Sequence, residues 1–275
     1  MPQARPHLLL TNDDGADSPL FELLVETMAE YAELSIAVPA REQSWKGKSM
    51  TRHGDISVVE TQIAGHSGYT VEGTPADCVN IALYNLLDRK PDLVVSGINV
   101  GLNAGLSLVW ASGTVGACLE GNIAGIPGLA LSQQLSPETY GHWDRHRQFE
   151  DEIFARLKNN TQLVMPAIWD HITADTSAPL TQQQGNRATA ITHNVNLPFE
   201  LSEPLLEQSY LGHSWYGQCF VSKTDNVYTH RMQPFDRDTN SQADNNILTR
   251  GHVSVTRLDL HTFGQLEGRV EGGVD

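Results

Sequence analysis

A chain of 275 residues, 40% hydrophobic and 19% charged, is long enough to bury a sizeable core in one large or two smaller domains. Its 18 Lys plus Arg against 33 Asp plus Glu leave a formal net charge of −15, which argues against sequence-independent binding to a nucleic-acid duplex. No run approaches the ~20 apolar residues of a membrane span, Met1–Pro6 lacks the apolar centre of a secretory leader, and Cys78, Cys118 and Cys219 form no CxxC pair, so reduced thiols in the cytoplasm are expected.

His7-Leu8-Leu9-Leu10-Thr11 is a short apolar run closed by Asn12-Asp13-Asp14-Gly15, which reads as a buried first strand and its turn. Adjacent carboxylates are costly like charges, relieved by a divalent cation with hard oxygen ligands; a solvated turn that bonds its own backbone is the alternative. Apolar residues at 20, 23, 24, 28 and 31 predict a helix over Pro19–Tyr31, and Leu34–Val38 a second strand. The loop that follows carries Ser44, a ligand or a solvated loop residue, with no GxSxG elbow around it. Thr74-Pro75-Ala76-Asp77 opens a helix with a capping-box pattern, and Val79, Ala82, Leu83, Leu86 and Leu87 form its buried face.

Asp92–Ser96 is the next strand, followed by a turn rich in Gly and Asn, Ser96–Gly105, where Asn carbonyls could ligate a cation or simply form a βα loop. Trp110 suits base stacking, core packing or a lid. Ser112-Gly113-Thr114 starts a helix whose free amides and hydroxyls form a phosphate cradle or a plain cap, without the Gly-Lys-Ser/Thr of a Walker loop. Gly128–Ser132 is a further strand. From Gln133 to about Arg187 polar residues dominate; His142 and His146 share a helical spacing on a solvated face, and Gln182–Asn186 reads as a loop. Ala188–His193, Cys219–Ser222 and His252–Thr256 read as strands, Asp236–Asn246 as a mobile loop and Glu267–Asp275 as a disordered tail.

Strands alternating with helices build a mostly parallel sheet covered on both faces, with ligands outside the carboxyl ends of the strands. The turn at Asp13, the loop at Ser44 and the turn at Asn99 then meet along one rim. GxGxxG is missing after the first strand, which excludes a generic dinucleotide oxidoreductase.

Asn12-Asp13-Asp14-Gly15, Ser44, Gly73–Val79, Ser96-Gly97-Ile98-Asn99 with Gly101 and Asn103, and Ser112-Gly113-Thr114-Val115 with Glu120-Gly121 occur in the order found in the SurE family of survival-protein-type nucleotidases. The resemblance is strong over about residues 7–132 and continues through Asn194–Pro198 and Gly251–Thr256. It implies a Rossmann-like α/β fold with a C-terminal β-rich extension: one domain over 1–262, core about 7–200 and extension about 201–262, then a flexible tail at 263–275. It also implies hydrolysis of nucleoside monophosphates, 5′ and as a further option 3′, by a homodimer or homotetramer that uses neither a nucleic-acid duplex nor a membrane. One divalent ion per subunit, Mg²⁺ or Mn²⁺, would fall on Asp13, Asp14, Ser44 and Asn99, with Asp13 and Asp14 catalytic. Phosphate contacts would fall on Asn12, Asn103, Ser112, Gly113 and Thr114. The ion would polarise the phosphoryl oxygen and activate water; attack by Asp13 is the alternative route.

Three departures stand out. Trp45 occupies a position where the family usually has Gly, so a large ring narrows the site or offers a platform for a base. Leu106–Ala111 lacks an acidic residue common there and is one residue longer, and Arg257 replaces a common Pro. The altered loop at Trp45 motivates a second reading, a nucleotide-binding regulator with little turnover.

Overall fold

Three consecutive leucines make the first strand, β1 (His7–Thr11), a fully buried one: Leu8 and Leu10 enter one hydrophobic layer and Leu9 the other. The structure, a computed structural model, describes residues 5–174, 190–231 and 236–262. After β1 come α1 (Pro19–Met28), β2 (Glu33–Pro39), β3 (Val58–Ile63), β4 (His66–Val71) and α2 (Pro75–Ile81), which runs into a π-helical turn at Ala82–Leu86. Next are β5 (Leu93–Val100), α3 (Leu106–Ala111), α4 (Gly113–Ile123), β6 (Gly128–Gln133), α5 (Pro137–His146) and α6 (Asp151–Ala174). The chain closes with β7 (Thr192–Leu197), β8 (Leu206–Ser209), β9 (Phe220–Thr224), β10 (Val227–His230), α7 (Asp244–Thr249) and β11 (Val253–Leu258).

A nine-stranded sheet has the order β3-β4-β2-β1-β5-β6-β7-β11-β8. All pairs from β4 to β7 are parallel, β3 and β11 join antiparallel, and β8 runs parallel to β11. Helices α1 and α6 pack over the layer of Leu8, Val95, Leu129 and Val195, while α2 and α4 cover that of Leu9, Val94 and Ala130. This is the mostly parallel α/β architecture expected, with extra C-terminal strands. No helix of the described residues is long and apolar enough to cross a membrane.

The capping box at α2 forms as expected: Asp77 N donates to Thr74 Oγ1 at 3.1 Å and Thr74 N to Asp77 Oδ2 at 2.9 Å. Other elements depart from the sequence reading. The polar stretch after Gln133 contains the 24-residue α6, whose stripe Leu157, Thr161, Val164, Met165, Ile168 and Ile172 is buried at helical spacing beneath a polar majority. His142 and His146 do share a helix, half-buried and exposed respectively, with ring centroids 4.6 Å apart. Strand β7 begins at Thr192, later than expected, and runs through the asparagine-rich segment because Asn194 and Asn196 are buried with hydrogen-bond partners; part of the expected Ala188–His193 strand lies outside the described residues. The mobile loop expected at Asp236–Asn246 is instead held by its own polar side chains. Asp244 accepts from the amides of Gly105 at 2.6 Å and Gly212 at 3.1 Å, Asp238 accepts from His213 N and Tyr210 Oη, and α7 begins within the stretch. The expected loop at Gln182–Asn186 and tail at Glu267–Asp275 lie outside the described residues.

Candidate active site

The carboxyl ends of β1, β2 and β5 open onto one cavity of about 600 Å³, within the usual size range of small-molecule sites. Asp13, Ser44, Asn99, Asn103 and Ser112 all line it, so three loops distant in sequence meet as the strand order requires. Glu42, Tyr140 and Asp144 line it too, as do Trp45 and His230.

Asp13 sits at the centre of this arrangement and is buried at 3% exposure. Its Oδ1 accepts from the Thr114 hydroxyl at 2.7 Å, and its backbone carbonyl accepts from Gln43 N at 2.7 Å. Gly113 is required beside it, because a Cβ there would lie 2.8 Å from Asp13 Oδ2. The start of α4 thus approaches the carboxylate closely. Asp14, half-buried, accepts from Val100 N at 3.0 Å, which ties the β1 turn to the end of β5. Burial pushes the Asp13 carboxyl above its ordinary range, opposed in part by the Thr114 hydroxyl. Asp14 is pushed well above, first by burial and then by the charge of Asp13.

Asn99 donates its Nδ2 to the Gly101 carbonyl at 2.7 Å, so its amide oxygen is the atom left for a cation. Ser44 donates to Glu42 Oε1 at 2.9 Å. Ser112 caps α4, accepting from Val115 N at 3.1 Å, and keeps its hydroxyl proton for another acceptor. Asn103 is anchored on all sides: its N–H donates to Asn196 Oδ1 at 2.8 Å, its Nδ2 to Ser132 Oγ at 2.8 Å, and its carbonyl accepts from Asn194 Nδ2 at 2.8 Å. These buried asparagines carry β7 into the support of the site.

Not every expected phosphate contact faces the cavity. Asn12 is fully buried and closes its own turn, with Nδ2 donating to Gly15 O at 2.7 Å and Oδ1 accepting from Gly15 N at 3.2 Å. Gly113 and the fully buried Thr114 lie behind Asp13 rather than on the cavity wall. The segment Leu106–Ala111 forms α3, contributes Leu108 and Ala111 to the wall, and leaves Trp110 exposed outside the lining.

Sequence reasoning missed Glu42, Tyr140, Asp144 and His230. No motif marks them; they arrive from a loop, from the i, i+4 face of α5 and from the β10 hairpin strand. It also missed Gly116, where a Cβ would meet the Gly47 carbonyl at 2.5 Å, so the Ser44 loop lies directly on α4.

Asp13, Glu42 and Asp144 bring negative charge to the wall, and none of the described residues lining it is Lys or Arg. Lys48, in the loop that carries Ser44, is paired with Glu120 at 2.6 Å. Among the described residues no group of three or more His, Cys, Asp or Glu side chains converges as a metal site. The expected ligands Asp13, Asp14, Ser44 and Asn99 offer only hard oxygen donors, the kind that suits a hard divalent cation rather than a soft metal; Asp13, Ser44 and Asn99 line the cavity, and Asp14 is not among its lining residues.

A family model described as Survival protein SurE matches residues 8–218. A protein named 5′-nucleotidase SurE from Citrifermentans bemidjiense is 42% identical over 269 residues, covering 94% of this chain and 96% of its own. Another of that name from Desulforudis audaxviator is 33% identical over 279 residues, covering 98% of each. Among solved structures, a SurE protein from Aquifex aeolicus superposes with a TM-score of 0.67 at 27% identity, over 93% of this chain and 94% of that one.

Proposed function

The chain belongs to the SurE family, and from that premise we propose that its acidic cavity is a divalent-metal-dependent nucleotidase site that releases phosphate from nucleoside 5′-monophosphates. The observation that carries the proposal is the charge of the cavity wall. A phosphate dianion meets no Lys or Arg among the described lining residues, while burial holds the neighbouring Asp13 and Asp14 carboxyls above their ordinary pKa range, Asp14 also through the charge of Asp13. Mg²⁺ or Mn²⁺ held by Asp13, Asp14, Ser44 and Asn99, one per subunit, would reverse that charge and polarise the phosphoryl oxygen.

The remaining work falls to side chains. Thr114 and Val100 N hold the two carboxylates in fixed directions, which keeps the donor set preorganised. The Ser112 hydroxyl proton and the anchored Asn103 side chain are placed to hold non-bridging phosphate oxygens. Asn12, Gly113 and Thr114 act one layer back, by shaping the turn and admitting the helix start to Asp13. Water is the favoured attacking group, because Asp13 is shielded on one side by Thr114 and Gly113; transfer of phosphate to Asp13 is the competing route.

The exposed Phe220, Val227 and Tyr228 of the β9–β10 hairpin support a contact between subunits of a homodimer or homotetramer. The described part of the 1–262 region acts as one unit, since β8 and β11 extend the main sheet. The buried free thiols Cys78 and Cys118 support a cytoplasmic setting. The test is phosphate release from a set of nucleoside monophosphates with Mg²⁺, with Mn²⁺ and after chelation. Metal-restored activity is expected; hydrolysis indifferent to a chelator, or tight nucleotide binding without any release, would overturn the proposal, the latter in favour of a regulator.

A further inference from the structure

Trp45 is the residue that the metal and phosphate contacts leave unused, and four observations converge on it. Its backbone adopts φ +64, a left-handed conformation that a bulky side chain rarely takes. The chain is held there from both sides: Gln43 N donates to the Asp13 carbonyl at 2.7 Å and Gly47 N to the Ala111 carbonyl at 2.9 Å. Glu42 adds an ion pair to Arg147 at 2.7 Å. Position 45 is therefore the fixed tip of a short loop, directly after Ser44.

Trp45 as a residue is 42% exposed while lining the same cavity as Asp13 and Asn103. Its aromatic neighbours approach at an angle: Tyr216 at 61° with centroids 5.7 Å apart, and His230 at 65° and 5.0 Å. His230 is itself braced by Phe220 at 5.5 Å. Neither of these neighbours lies parallel to the indole, so neither is stacked on it. Leu108, Leu135 and Pro137 supply apolar wall nearby. A strained, clamped and edge-braced indole on an acidic cavity is a flat apolar surface held ready for another flat ring.

Resting on the nucleotidase reading, we infer that Trp45 is the platform on which the substrate's nucleobase stacks, so that the aromatic base, and not the phosphate alone, determines specificity. Its competitor is a ring that merely narrows the site. The two differ in what happens to a substrate that has the sugar phosphate and no base.

The experiment compares kcat/KM for adenosine 5′-monophosphate and ribose 5-phosphate in the wild-type protein, Trp45→Gly and Trp45→Phe, with Mn²⁺ present. Glycine accepts φ +64 without strain, so the loop is spared. Base–aromatic stacking predicts that Trp45→Gly lowers the ratio of the two kcat/KM values about 10-fold or more, through KM for the nucleotide, and that Trp45→Phe restores most of it. A ratio that stays unchanged in Trp45→Gly overturns the platform and favours the narrowing ring. If the wild-type protein cleaves neither compound, the nucleotidase reading fails separately. Calorimetric titration with adenosine then decides the platform alone: binding weakened about 10-fold by Trp45→Gly supports it, and equal or absent binding overturns it.

Discussion

Replacing Asp13 with Asn separates stability from activity in opposite directions. In the metal-free protein at a pH above neutral, Asp13 is buried at 3% exposure beside a second carboxylate. Two unit charges roughly 6 Å apart at an effective dielectric of ~20 repel by about 3 kcal/mol. Asn keeps the acceptor for the Thr114 hydroxyl, but a charge-assisted bond becomes a neutral one, at a cost of about 1 kcal/mol. The net expectation is a metal-free Asp13→Asn protein more stable by about 1–2 kcal/mol, a rise in Tm of roughly 2–8 °C for a chain of this size. The pH profile carries the same sign. A carboxyl whose folded pKa is raised contributes stability that is fully present below the ordinary carboxylate range and lost as pH rises through the raised value. The variant therefore shows a flatter decline of stability with rising pH. Scanning calorimetry with and without Mn²⁺, alongside phosphate release, reads every part: the variant loses most of the metal-induced stabilisation and activity falls at least about 100-fold. A variant that is less stable without metal, yet keeps the full Mn²⁺ shift and wild-type turnover, would refute the reasoning.

Two further outcomes are expected. Gly113→Ala puts a methyl 2.8 Å from Asp13 Oδ2, so the carboxylate is displaced and kcat/KM falls about 10-fold, while far-ultraviolet circular dichroism keeps its wild-type form; unchanged kinetics would show that the helix start tolerates the group. Glu207 is held below its ordinary pKa, first by its hydrogen bond with His252 and also by Arg250 at 2.8 Å. This contribution is present above the ordinary carboxylate range and is lost as pH falls through the lowered value. Glu207→Gln is thus less stable than the wild type at neutral pH, and denaturant titrations in increasingly acid buffer should see the difference vanish; a difference that persists in acid contradicts it.

The parallel centre of the fold was legible because β1, β5 and β6 are short apolar runs buried on both faces and the helices between them carry clear stripes. The edges were not. Strands β3 and β4 form a hairpin through a tight turn at Ala64-Gly65, both at positive φ, with few apolar residues to mark them. Helix α6 hides its stripe under a polar face and contains Pro166, a residue that argues against a helix in any local reading. Asn194 and Asn196 resemble turn residues until Asn103 is known to answer them from another loop. The site divides in the same way. Asp13, Ser44 and Asn99 were accessible through motifs at strand ends, whereas Tyr140, Asp144 and His230 depend on which face of α5 and which end of a hairpin the tertiary fold turns inward.

The absence of Lys and Arg from the described cavity wall also governs how the two products part. The nucleoside leaves uncharged, retained only by whatever surface its ring touches. Inorganic phosphate leaves as an anion, and in an acidic enclosure the proposed cation would be its main charge partner beside the neutral donors Ser112 and Asn103. Inhibition by phosphate should accordingly strengthen with metal concentration, whereas inhibition by nucleoside should follow the integrity of the indole and ignore salt. With the proposed metal site, the acidic wall that needs an ion to admit the substrate would make product release two independent events, each adjustable without the other.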